Sequence, residues 1–382
     1  MNRGRRLMPI VIVLVLGLLT SVAVVAAGCG SDDNPGTTTT VATGAGSSTT
    51  TTAVVGTGGT VAAANGSLYP VLVSGKGGYG YVDKTGTLII EPQFAHAGPF
   101  KDGIALVAVA GNVATNYGYF GTDGKWIIEP NFYGAMPFSD GWALVQTFDG
   151  TYQYLDAKDN KLVEPSDAYS LPFSEGLAPI KVNGTYGYMD TKAKTVIAPR
   201  FADAQSFSEG LAAAGMQVNG ATKYGYIDTK GAWVVQPQYD QGGRFSEGLA
   251  AVLVNGKWGF IDAKGVMVVQ PRFALVEAFS DGLAAVQVGD KYGYVDIKGQ
   301  MAIPAQFYWA YGFSEGLGVV EQMVDGAERY GFIDKTGKMV IQPVYAGAAA
   351  FANGLAAVKI VSGDSSKYAL IDPTGKVIWQ DQ

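Results

Sequence analysis

One triplet constrains this chain more than any other feature: an aromatic residue, a glycine and a second aromatic, written many times over. It stands in "GKWGFIDAKGVMVVQPRF" (residues 256–273) and returns as "TYGYMDTKAKTVIAPRF", "KYGYIDTKGAWVVQPQY" and "RYGFIDKTGKMVIQPVY". The glycines are Gly80, Gly118, Gly187, Gly225, Gly259, Gly293 and Gly331, with Gln153 and Ala369 in the same phase. Successive centres lie 34 to 38 residues apart. Between them recurs a second motif, seen as "PFSDGWA", "PFSEGLA", "RFSEGLA", "AFSDGLA" and "AFANGLA". Self-similarity at this period marks an array of supersecondary units, and from Leu68 onward the array takes up essentially the whole chain.

Each unit reads as short strands. "GLAAVLV" (248–254) is a strand, and Asn255-Gly256 a tight turn, because Asn-Gly readily takes positive φ. "WGFID" follows, then the turn "AKG" and the strand "VMVVQP", which Pro271 is expected to end because it cannot donate to a ladder. The connection "RFALVEAFSD" has room for a short fourth strand. Alternation puts Trp258 and Phe260 on one face and Gly259 and Ile261 on the other. It likewise opposes Leu249, Ala251 and Leu253 to Ala250, Val252 and Val254. Both faces are apolar, so both need cover, and the neighbouring unit is the available cover. The glycine is then expected to leave a slot in which an adjacent ring lies against the backbone.

The recurring Asp228, Asp262, Asp296 and Asp334 sit where a strand enters a turn, where a carboxylate accepts a backbone N–H two residues on. Glu209, Glu247, Asp281 and Glu315 are expected to cap their own turns in the same way. Calcium ligation would need a dense D-x-D-x-D-G run, which is missing, so no metal and no cofactor are expected. The fold class is therefore all-β: a tandem array of about nine 34–38-residue β-meander units, propeller-like. The alternative is an open β-solenoid, capped at one end by Ala369 and the polar "WQDQ" tail.

Composition narrows the chemistry. Of 382 residues 53 are Gly, far above ordinary usage, and only 16% are charged. The net charge of -6, carried alongside an N-terminal segment with three Arg and no acids, makes nucleic-acid binding an unfavourable reading. With one Cys (Cys29) and one His (His96), neither a structural zinc site nor an ordinary set of nucleophile, histidine and acid can be assembled freely.

The amino terminus, "MNRGRRLMPIVIVLVLGLLTSVAVVAAGCGSDD", places Arg3, Arg5 and Arg6 before an uncharged run, the pattern of a secretory signal. An uncleaved membrane helix is the alternative, since about 20 apolar residues span a bilayer. Residues 29–66, dominated by Thr, Ser, Gly and Ala without aromatics, read as a disordered linker. The division is thus 1–28 signal peptide, 29–66 linker and 67–382 repeat domain.

These units resemble the WG-repeat (KWG) family of bacterial proteins, whose aromatic-Gly pair is seen here as Trp258-Gly259. Departures are Gln153 and Ala369 at the glycine position, Gly121 at the hairpin aspartate and a shortened "IKGQMAIP". The resemblance implies a repeat architecture and no activity. The stretch "GKWGFIDAKG" also resembles, over its hairpin only, the choline-binding cell-wall repeats of Gram-positive surface proteins. Ala26-Ala27-Gly28-Cys29 resembles a bacterial lipobox, which implies diacylation of Cys29. The "CGSDD" start followed by a Thr-rich stalk is similar to actinobacterial lipoproteins. Lipid anchoring at the extracytoplasmic face of the cell membrane is the expected address.

Three functions are weighed. The first is a non-catalytic, membrane-tethered binding or scaffold module, with an envelope protein or glycan as partner. Its variable loops would be "VAGNVATNYGY", "GMQVNGATKYGY" and "EQMVDGAERYGF". The second is cell-wall glycan binding through aromatics such as Trp126, Trp142, Trp233 and Trp309; Trp142 and Trp309 break the repeat pattern and are the candidate ligand contacts. The third is a glycan-active hydrolase, which would need a carboxylate pair; no pair stands out from the repeated acids, and His96 falls in a connection.

Overall fold

A computed structural model describes residues 67–111, 115–166, 171–362 and 365–381. The signal segment 1–28, Cys29 and the 29–66 linker lie outside the described residues. Apart from one 3-10 turn at Ser74–Lys76, the regular elements are strands. They form nine antiparallel sheets of three or four strands, each built from consecutive strands. The sheets span residues 69–94, 96–132, 134–166, 177–201, 203–239, 241–273, 283–307, 309–345 and 347–380, and are called blades 1 to 9.

Blade 6 shows the plan. Gln241–Ser246, Leu249–Val254, Lys257–Asp262 and Met267–Phe273 pair in that order. Past Phe273 the connection 272–281 forms only the isolated bridges Val276↔Val286 and Ser280↔Leu283, so blade 7, like blades 1 and 4, has three strands. In the other six blades the expected short strand exists and is the first of the following blade. Two-residue turns join the first to the second strand and the second to the third. Glu247-Gly248 and Asn255-Gly256 both have positive φ at each residue, and Ser246 pairs with Leu249 as Val254 does with Lys257. These are the mirror-image turns whose twist matches that of the flanking strands. At the third turn Asp262 Oδ1 accepts the N–H of Lys264 and of Val266, both at 2.9 Å, as the sequence predicts. Asp228, Asp296 and Asp334 do the same. In blade 2, where Gly121 replaces the aspartate, Asp123 accepts the N–H of Lys125 instead.

Both faces of each blade are buried, and by its neighbours. Leu249, Ala251, Trp258 and Phe260 pack against blade 7, while Ala250, Val252, Val254 and Ile261 pack against blade 5. Nine apolar clusters separate the blades, one per junction; the ninth joins Leu355 and Leu370 of blade 9 to Tyr69, Val71 and Val82 of blade 1. Nine blades with nine junctions close a ring, whereas an open solenoid has one junction fewer than its units. The chain is a nine-bladed β-propeller. The polar tail does not cap a solenoid. Asp381 instead accepts hydrogen bonds from the Ser74 N–H (2.9 Å) and hydroxyl in blade 1, closing the ring.

Which edge of each blade faces inward follows from side-chain length. Ser174, Ser208, Ser246 and Ser314, at the first strands, donate their hydroxyls to the carbonyls of Phe207, Phe245, Phe279 and Phe351 in the next blade, at 2.7–2.8 Å. So short a side chain bridges blades only where they converge. At the opposite edge the same step takes an arginine, as from Arg200 to the Gly231 carbonyl and from Arg272 to the Gly299 carbonyl. The first strands therefore line the inside of the ring.

Register across each junction is set by the second aromatic of the triplet. Tyr81, Tyr119, Tyr154, Tyr188, Tyr226 and Tyr294 each donate a hydroxyl to the backbone carbonyl 17 residues on, at 2.7–2.9 Å. A buried phenol needs such a partner, and burial pushes Tyr81, Tyr119, Tyr188, Tyr226 and Tyr294 well above their usual pKa. Each also meets the phenylalanine 19 residues on at a centroid distance of 4.4–5.0 Å, as do Phe260 and Phe332, which lack the hydroxyl.

The triplet glycine has a different neighbour from the one expected. A Cβ at Gly80, Gly118, Gly187, Gly225, Gly259, Gly293 or Gly331 would lie under 3.0 Å from a backbone carbonyl of the last strand of the same blade. No ring of an adjacent blade occupies the slot. The last strand bulges there: Trp258 pairs with Phe273 but Phe260 with Val269, so one strand advances two residues while the other advances four. Pro271 sits in this bulge and does not end the strand, which runs on to Phe273. A bulge on an outer strand removes the need for the proline's missing N–H. Of the two blades without the glycine, blade 9 lacks this bulge and blade 3 has a smaller one. Ala369 pairs directly with Gln380, and in blade 3 the shift between Tyr152 and Tyr154 is one residue smaller.

Candidate functional site

The two faces of the ring carry different chemistry. One face bears the turns between first and second strands and the aspartate hairpins. On it Asp140, Glu175, Glu209, Glu247, Asp281 and Glu315 accept the N–H of Gly176, Gly210, Gly248, Gly282, Gly316 and Gly354, at 2.8–2.9 Å. Each acceptor is in one blade and each donor in the next. These acids do not cap their own turns, as the sequence reading expects; they run around the ring from blade to blade. Positive φ is uncommon for a glutamate, and this charge-assisted bond offsets its cost. The repeat consumes that face as scaffold.

The other face bears the turns between second and third strands and the connections between blades. At 215–226 and 321–332 the added residues lengthen the paired strands, which still close on the two-residue turns Asn219-Gly220 and Asp325-Gly326; all three longer segments of the sequence reading reach this face. It is the variable face.

The aromatics singled out from the sequence separate here. Trp142 takes the place of the leucines Leu177, Leu211 and Leu249 and is 8% exposed, tilted against Phe173 at 5.5 Å. It is a core residue of the junction between blades 3 and 4, not a surface contact. Trp126 and Trp233 are also not exposed platforms; they pack edge-on against Phe120 and Phe201. His96 begins the first strand of blade 2 between Tyr79 and Tyr117, with Nδ1 buried and unpartnered and its pKa lowered by burial. Among the described residues no group of three or more His, Cys, Asp or Glu is placed to hold a metal ion.

Trp309 is different. It begins the first strand of blade 8, at the variable face, and joins a continuous row of rings. Tyr292 of blade 7 lies 4.5 Å from Trp309, Trp309 6.3 Å from Tyr311, and Tyr311 6.5 Å from Tyr330 in near-parallel stacking. Tyr311 is the most open of the four at 36% exposure. Two acids accompany the rings. Glu321 pairs with both Trp309 and Tyr330 across the sheet and is 6% exposed; burial raises its carboxyl. Glu277, from blade 7, accepts the N–H of Gly312 at 2.8 Å, and burial pushes it up to about 6. Burial, then the nearby Glu277, pushes Tyr292 up to about 12. The Tyr292 hydroxyl and Trp309 Nε1 are buried without a hydrogen-bond partner.

Glu277, Tyr311 and Glu321 are missed by sequence reasoning centred on tryptophan. The available signal is columnar: Glu277 and Tyr311 occupy the position held elsewhere by Gly98, Gly243 and Ala349.

A model of the WG-containing repeat matches residues 79–112, 117–152, 169–186, 186–216, 224–258, 258–292, 292–322 and 330–360. The chain belongs to this family. A WG repeat such as 258–292 runs from one triplet to the next, so it straddles two blades. Eight matched repeats thus coexist with nine blades, the ring being completed by 69–73 and 365–380.

Among solved structures the chain is similar to the computationally designed Ika8 protein (14% identity, 73% of this chain and 93% of that one, TM-score 0.40). BamB from Moraxella catarrhalis aligns at 15% identity over 74% and 94% of the two chains, TM-score 0.41. Dihydro-heme d1 dehydrogenase NirN, in complex with DHE, aligns at 14% identity over 82% and 72%, TM-score 0.44. Likeness at this level carries no functional argument. No curated protein matches the chain.

Proposed function

We propose that this WG-repeat propeller is a non-catalytic binding or scaffold module, held at the extracytoplasmic face of a membrane by lipid on Cys29 and offering its variable face to an envelope partner. The carrying observation is the division of labour between the faces. Serines, acids and glycines repeated in blade after blade tie one face together, while loop length and side-chain chemistry change on the other. Repeat arrays use such surfaces for recognition. A linker of 38 residues without aromatics suits a stalk, with a coil span of roughly 35 Å.

Two measurements test the reading. In a bacterial host, a clickable fatty acid should label the full chain and not Cys29→Ala, which should also leave the membrane fraction. Loop replacements that delete Gln217, Val218, Ala221 and Thr222 from blade 5 and Met323, Val324, Ala327 and Glu328 from blade 8, trimming both hairpins to the length of that in blade 6, should abolish capture of envelope components by the full chain. Unlabelled wild-type protein overturns the tether, and unchanged capture overturns the choice of face.

A further inference from the structure

We propose that the junction of blades 7 and 8 is a carbohydrate subsite, in which Trp309 and Tyr311 stack on a sugar ring and Glu277 and Glu321 accept its hydroxyls. This rests on the variable face being the binding face. The junction departs from the repeat at two neighbouring inner positions. Position 309 carries His96, Gly134, Tyr169, Asp203, Gln241, Leu275 or Gly347 in other units, and position 311 carries Gly98, Met136, Leu171, Gln205, Gly243, Glu277 or Ala349. A packing role alone needs neither a tryptophan nor a tyrosine there, since those junctions close without them.

The ligand class follows by matching functional groups. The row of four rings offers π faces, with Tyr311 open to solvent. Glu277 accepts the Gly312 N–H and Glu321 accepts the Tyr330 hydroxyl, so each carboxylate keeps acceptor capacity for a further donor, and among the described residues no salt bridge involves either. Trp309 Nε1 and the 3%-exposed Tyr292, whose hydroxyl is unpartnered, need an acceptor. An apolar ligand leaves Trp309 Nε1 and the Tyr292 hydroxyl unmet, and an anion is repelled by the carboxylates. A simple ammonium serves the acids and rings but gives Trp309 Nε1 no acceptor. A sugar serves every group: hydroxyls donate to carboxylates and accept from N–H and O–H, and the C–H face covers the rings. Because the two unpartnered atoms are shut off from solvent, a ligand reaches them only by displacing Trp309 or Tyr311, so binding is coupled to indole movement.

The full chain in detergent, titrated with chitotetraose, cellotetraose and tetramethylammonium chloride, tests this by calorimetry and tryptophan fluorescence. At least one oligosaccharide should bind and shift the emission; which one distinguishes an acetamido sugar from a plain hexose. Trp309→Ala and Tyr311→Ala should each weaken binding about tenfold or more, and Trp309→Phe should retain affinity while losing the emission shift. Trp142→Phe, altered in the core of another junction, should leave affinity unchanged. Thermal melts identify any variant that fails to fold, and Glu277→Gln, nearly isosteric, gives an independent expected loss of about tenfold. Binding of tetramethylammonium but neither sugar, or sugar binding indifferent to Trp309→Ala and Tyr311→Ala, overturns the subsite. If no sugar binds yet the loop replacements still abolish capture, the subsite fails and the variable-face reading stands.

Discussion

At Gly259 a hydrogen atom does what no side chain can. A Cβ there would overlap the carbonyl oxygen of Val269 and the backbone around Pro271, and backbone cannot rotate away as a side chain can. In an open strand, replacing glycine by alanine gains roughly 0.5–1 kcal/mol. Here the sign should reverse. Gly259→Ala should cost about 3 kcal/mol, in the upper range for overpacking, seen as a lowered midpoint in denaturant or heat. Ala369→Gly is the complementary test. Blade 9 lacks the bulge, so this change should destabilise modestly, by roughly 1 kcal/mol, through lost burial of a side chain 1% exposed. A stabilised Gly259→Ala protein would remove the bulge explanation of the family's defining glycine. The glycine's presence is legible in the sequence. Its reason is not, because the covering backbone lies eleven residues away on a strand whose register only the folded blade defines.

At the scale of strands and blades, the repeat supplies the same few bonds at each junction, and the blade 7–8 junction adds buried charge. Glu277 has its carboxyl raised to about 6 by burial, with Tyr292 and Tyr294 facing it and Gly312 donating to it. The ordinary value is about 4.3, so between pH 4 and 6 the folded state holds the proton more tightly than the unfolded one. Stability from this group is greatest at low pH and falls as pH rises to about 6, by at most about 2 kcal/mol. Glu277→Gln should therefore be the more stable protein at pH 7 and nearly equal to wild type at pH 4, read from thermal midpoints at the two values. The hairpin acids titrate oppositely. The Thr336 hydroxyl holds the Asp334 carboxyl below its usual value, and the Thr374 hydroxyl does so for Asp372, so their contribution is lost as pH falls. Subtracting wild type from variant removes that common background. Equal pH profiles for the two proteins would mean that Glu277 is not desolvated. This acid is readable in the sequence only as one carboxylate among 33 Asp and Glu; its burial depends on Tyr292 and Tyr311 arriving from two different blades.

At the scale of the whole molecule, the ring is fastened by chemistry the repeat does not contain. Where other junctions use a serine hydroxyl and an acid, blade 9 presents Ala352 and Asn353, and the Asn353 carbonyl accepts the Tyr69 hydroxyl. A second side-chain fastening across this seam is Asp381, 5% exposed and bonded to Ser74. Asp381→Ala should lower stability by about 2 kcal/mol, the scale for a buried hydrogen bond to a charged group, while a surface change such as Asp290→Ala should do much less. Thermal unfolding of the two variants decides it, and equal melting would deny the closing role of the tail.

The sequence by itself determined the units: their number, the alternation that buries both faces, the Asn-Gly turns and the aspartate hairpins. Those are local, because each is written within about five consecutive residues and needs no distant partner to be recognised. The tertiary structure alone decided that the array closes, that the turn acids serve the next blade, that a bulge explains the glycine, and that Trp142 is core while Trp309 lies in a row of rings beside two buried acids. Those properties arise between segments separated by 17 residues or, at the seam, by more than 300. Which segments meet is fixed only when the blades have stacked around an axis.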